Sequence, residues 1–109
     1  MLRENFHLVL HALVPAVVAG FFYRDKFWRV WLVLVATMVV DLDHLLADPV
    51  YDAGRCSIGF HPLHSYPVIA AYGLAAIWPR LRLVVIGLMI HMALDGIDCV
   101  WMYKFPQLD

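Results

Sequence analysis

Charge is scarce in this chain. Of its 109 residues, 16% are Asp, Glu, Lys or Arg, against about 25% in an ordinary soluble domain. Acids and bases nearly cancel to a net charge of −1, and with no basic face a nucleic-acid partner is excluded. Familiar membrane-enzyme signatures are missing as well: there is no His-Glu-x-x-His, no pair of glutamates and no Gly-x-Ser nucleophile. Cysteine is limited to Cys56 and Cys99. What remains is apolar, with 63% hydrophobic residues and a mean hydropathy of +0.74. A domain this small leaves much of its surface in water and cannot bury such an excess. A soluble enzyme and a disordered tail are therefore excluded, and a small integral membrane protein is expected.

Four apolar segments divide the chain, at about 5–22, 27–47, 63–78 and 81–102, with a polar loop over 48–62. Segments near 20 residues match a hydrocarbon core of about 30 Å at 1.5 Å per residue. Only helices satisfy their own backbone in lipid, and four segments cannot close a barrel. The expected fold is all-α: a polytopic four-helix bundle of two antiparallel hairpins in a single domain, turned at Tyr23–Lys26 and Pro79-Arg80. Pro15 and Pro67 are expected inside helices 1 and 3, kinking both. Arg24, Lys26, Arg29, Arg80 and Arg82 outnumber Arg3, Arg55 and Lys104, which places the short turns in the cytoplasm. Both termini and the 48–62 loop then lie outside, where Cys56 and Cys99 face an oxidising compartment and favour a disulfide over free thiols.

The ionisable residues within these segments are not scattered. His7 and His11 lie in segment 1, Asp41, Asp43 and His44 in segment 2, His61 and His64 at the entry to segment 3, and His91, Asp95 and Asp98 in segment 4. All fall toward the outer ends. At 100° per residue His7 and His11 are about 40° apart, Asp41 and His44 about 60°, and the segment 4 trio spans about 60°. Each helix thus turns one polar stripe inward. Asp43 stands apart at about 160° from Asp41, and either joins through local unwinding or serves as a packing partner.

Imidazoles and carboxylates gathered in this way suit a divalent metal such as Zn, Mn or Fe. His7, His11, Asp41, His44, His61, His64, His91 and Asp95 are the expected ligands. They exceed the needs of one ion, so two ions bridged by an aspartate are expected, with spare groups outside them. The blander account of a lone helical His pair or a capped membrane exit is weakest for His91, Asp95 and Asp98, where a proton relay is the main competitor.

The order His7…His11, Asp41-x-Asp43-His44, His61-x-x-His64-Ser65 and His91-x-x-x-Asp95 resembles small bacterial inner-membrane metal-dependent hydrolases. Those proteins are distantly similar to zinc-dependent phospholipase C and single-strand nucleases. The usual pattern carries an arginine after the first His of the third motif, where this chain has His61-Pro62. The resemblance implies an inner-membrane location and metal-dependent hydrolysis. The expected function is attack by metal-activated water on a phosphoester, or less readily an acyl bond, of a membrane lipid. Asp43 or Asp98 would act as general base and Arg55 would bind phosphate. Two other readings compete. One is a metal or proton carrier, for which a homo-oligomer could supply the pathway that a single protomer lacks. The other is a purely structural metal that pins the helices together.

Overall fold

A computed structural model describes residues 2–50, 52 and 54–104. Among them every regular element is helical. Helix α1 runs from Leu2 to Phe22 and α2 from Phe27 to Ala36, with a 3-10 turn at Arg24–Lys26 between them. The chain of α2 continues without a break as a 3-10 helix from Thr37 to Leu46. After the loop, a 3-10 turn at Pro62–His64 leads into α3, Tyr66–Leu74, and α4 spans Arg82–Lys104.

The change of helix type in the second segment has a local cause. Thr37 Oγ1 donates to the Leu34 carbonyl at 2.6 Å, a back-bond that competes with the α-helical ladder. Gly87 of α4 lies against the same point. A Cβ there would sit 2.7 Å from Thr37 Cγ2 and 3.0 Å from the Leu34 carbonyl, so only glycine lets the two helices approach this closely. A 3-10 helix turns 120° per residue, so Asp41 and His44 stand in line while Asp43 points to the 3-10 turn at Pro62–His64.

Pro15 lies inside α1 as expected. Pro67, expected inside a helix, falls instead in the first turn of α3, where its missing N–H costs nothing. The preceding stretch from His61 forms a separate 3-10 turn and α3 starts afresh behind it.

Helices α1, α2 and α4 pack on one another, and α3 leans on α4. Ala19, Val30 and Leu34 form one apolar core with Ile86 and Ile90 against it. Val40, Leu88 and Met92 form a second, covered by Ile69 and Tyr72 of α3. Outside these cores the surface stays apolar, with Phe21 80%, Leu46 79% and Trp28 71% exposed. Cys56 and Cys99 are joined by a disulfide, which ties the loop to the last turns of α4.

Candidate metal centre

Buried polar atoms in a small helical protein are costly without partners, because an unpaired buried polar group forfeits its hydration. Here the buried polar residues gather at one end of the bundle, and they include His11, Asp43, His61, His64, His91 and Asp95.

The central group consists of Asp41, His64, His91 and Asp95. His64 Nε2 lies 3.2 Å from His91 Nε2, 3.2 Å from Asp41 Oδ1 and 3.0 Å from Asp95 Oδ2. His91 Nε2 lies 3.0 Å from Asp41 Oδ1 and 3.2 Å from Asp95 Oδ2. These five approaches cannot all be hydrogen bonds, because two imidazole nitrogens carry at most two protons. Asp95 Oδ2 in fact has no hydrogen-bond partner. Four ligand atoms arranged tetrahedrally at the roughly 2.0–2.1 Å of zinc sites have edges of roughly 3.3–3.4 Å. The observed spacing is close to that, so the residues fit a divalent ion.

The second group is His7, His11 and Asp95. Asp95 Oδ1 lies 3.1 Å from His7 Nε2 and 3.4 Å from His11 Nε2. His11 Nδ1 donates to the His7 carbonyl at 2.9 Å, which fixes the tautomer and leaves the buried Nε2 without a hydrogen-bond partner. Asp95 therefore presents one oxygen to each group.

Asp43 is 4% exposed and occupied on both oxygens. Oδ2 accepts from His64 Nδ1 at 2.9 Å and from the Leu63 N–H at 2.8 Å, while Oδ1 accepts from His44 Nδ1 at 3.1 Å. It holds His64 so that Nε2 faces the central group, the carboxylate–histidine arrangement common around metal ligands. Asp43, His44 and His61 also form a third group of potential ligands. Within it the His44 and His61 rings stack at 3.8 Å, and burial, aided by neighbouring His44, pushes the His61 imidazole below its ordinary pKa.

A cavity of 410 Å³ opens over the site, walled among others by Arg3, His7, Asp41, His44, Arg55 and His61. The Asp41, His7 and His44 side chains are 38%, 27% and 24% exposed toward solvent, whereas His64 is fully buried. On the opposite side, the space bounded by His11, Leu34, Thr37, Gly87 and His91 is too small for a water molecule. The site opens at one end.

All eight expected ligands thus fall into these groups. The two expected bases are otherwise engaged: Asp43 as above, and Asp98 by Arg3, whose Nη1 donates to both carboxylate oxygens at 2.8 Å. Arg55 lines the cavity, donates to the Pro49 and Val50 carbonyls at 3.0 Å, and lies over the Phe60 ring. Arg3, 2% exposed, is the site residue that sequence reasoning missed. Its signal was its position one turn before His7 on the same stripe.

No curated protein and no solved structure matches the chain. One family model does, over residues 1–102, and it describes a family of unknown function rather than a hydrolase or nuclease family. The chain belongs to that family, the family of unknown function DUF6122.

Proposed function

We propose that the chain is a membrane-embedded, metal-dependent hydrolase with a binuclear His/Asp centre, acting on a phosphoester of a lipid or lipid-linked substrate. The observation that carries this reading is the pair of ligand groups shared through the two oxygens of Asp95 and open to one cavity. His7, His11 and Asp95 would hold one ion, and Asp41, His64, His91 and Asp95 the other. Zn, Mn and Fe all suit these ligands. Such ions supply Lewis-acid chemistry, making water acidic near neutral pH and stabilising charge on phosphoryl oxygens.

The protein's own part is positioning. Asp43 orients His64, and the His7 carbonyl orients His11. His44, partly exposed at the cavity wall, is placed to accept a proton. Arg55 offers positive charge at the same wall. The His7–His11–Asp95 group, with three protein ligands, keeps a coordination position for substrate, whereas the four residues of the central group would close theirs.

The membrane setting is supported by α1 and α4, which are long and apolar enough to cross a bilayer, and by the exposed Phe, Leu and Trp side chains around the bundle. A polar cavity at one end of such a body faces a lipid headgroup. We place that end on the outer side of a bacterial inner membrane. The sealed floor beneath His11 and His91 speaks against a carrier, which needs access from both sides.

The test begins with protein purified in mild detergent without chelator. Phospholipids and a soluble phosphodiester are then incubated with it, with and without EDTA. Chelator-sensitive release of headgroup or phosphate from phospholipid is the expected result. Bound metal with no hydrolysis of any phosphoester would reject the enzymatic reading, and metal flux into proteoliposomes would favour a carrier.

A further inference from the structure

The hydrolase reading gives Arg3 no role. Its side chain is 3% exposed and is held by Asp98, 95 residues away in sequence. A buried ion pair is weak evidence for stability, because desolvation offsets most of the attraction and apolar residues of similar volume often serve as well. Its placement points to another use. Arg3, His7 and His11 follow at intervals of four on α1, so three successive turns present one stripe that advances about 40° per step. The stripe begins at the cavity, whose wall includes both Arg3 and His7. Asp98 supports it from α4, with Oδ1 also 4.0 Å from His7 Nδ1.

We propose that Arg3, oriented by Asp98, is an anion-binding residue of this cavity, taking a phosphoryl group about one helical turn from the His7–His11–Asp95 group. A guanidinium matches the oxygens of a phosphoryl group better than an ammonium does, and a carboxylate behind it fixes the direction in which it points. Asp98 is then a positioning residue. The choice of phosphate rests on the hydrolase reading, while the anion site itself rests on Arg3 and the cavity.

The test measures metal content and binding of two probes, inorganic phosphate and a short-chain phosphatidylcholine, by titration calorimetry. Wild type is compared with Arg3→Lys and with the double variant Arg3→Gln/Asp98→Asn, which replaces the ion pair by a neutral one of similar shape. The double variant is expected to keep its metal and to bind the better probe about tenfold or more weakly, as loss of a charged hydrogen bond implies. Arg3→Lys should fall between the two. Preference for phosphatidylcholine would identify a lipid headgroup as the source of the anion, and preference for inorganic phosphate a free anion.

Wild-type affinity in the double variant would overturn the proposal, as would a metal-loaded wild type that binds neither probe. Loss of metal in the double variant would also overturn it, by making the pair a support for His7. Should the double variant not fold, unchanged affinity in Arg3→Lys would be decisive against a guanidinium role. A metal-free wild type whose phosphate binding still depends on Arg3 would retain the anion site and reject the metallohydrolase.

Discussion

Sharing of Asp95 between two ligand groups makes metal stoichiometry the most exacting check on the site. Asp95 gives Oδ1 to His7 and His11 and Oδ2 to His64 and His91, so Asp95→Ala removes a ligand from both groups at once. Asp41→Ala touches only the central group, and His7→Ala only the other. Elemental analysis should therefore give about two divalent ions per wild-type chain, about one in each of Asp41→Ala and His7→Ala, and fewer than one in Asp95→Ala. Loss of an outer partner typically weakens a site about 10–100-fold, and loss of a direct ligand should exceed that. Thermal stability offers a parallel readout. With free metal at a hundred times its dissociation constant, each bound ion adds about 2.7 kcal/mol to the folded state. That increment should disappear on adding chelator to wild type and be absent throughout in Asp95→Ala. Equal metal content in Asp41→Ala and Asp95→Ala would refute the bridging role. A count of three would add the Asp43–His44–His61 group to the metal sites.

Asp43→Ala should leave one ion in place and weaken the other about 10–100-fold, because His64 loses the acceptor of its Nδ1–H; competitive metal titration would show this. Cys56→Ser opens a link across 43 residues, for which loop-closure entropy predicts a loss of roughly 4 kcal/mol, and an unchanged unfolding midpoint would refute that tethering role. Gly87→Ala should cost about 1–3 kcal/mol by driving a methyl into Thr37, with partial recovery when Thr37→Ala is added. Gly73→Ala meets nothing within 4 Å, and denaturation should show it neutral or up to about 1 kcal/mol more stable.

The polar stripes could be read directly from helical periodicity, because a His or Asp in an apolar run is conspicuous and its angular neighbours follow from 100° per residue. That reasoning grouped His7 with His11 and His91 with Asp95, and it sufficed for the all-helical architecture. It did not resolve Asp43. The switch to 3-10 geometry goes with the Thr37 back-bond, which an apolar pattern does not register, and with how closely Gly87 lets α4 approach, which no single segment contains. Nor did it distinguish a carboxylate that faces the ligand atoms from one that steadies a ligand from behind, since Asp43 reaches His64 only through the tertiary fold. Arg3 was counted for the sidedness of its charge and so was missed as part of the site. The segment 3 boundary shifted because Pro62 opens a separate 3-10 turn, with His61 just before it and His64 at its end, and Pro67 falls in the first turn of α3.

The pairing of Arg3 with Asp98 also has a consequence in time. The first turn of α1 is made well before the residue that pairs with it, which follows 95 positions later. At 5–20 residues per second, roughly 5–20 s pass during synthesis in which Arg3, His7 and His11 have emerged without Asp95 or Asp98. A chain that stops short of residue 95 lacks the carboxylate common to both ligand groups. Assembly of the site thus waits on synthesis of α4, whose Asp95 joins both ligand groups.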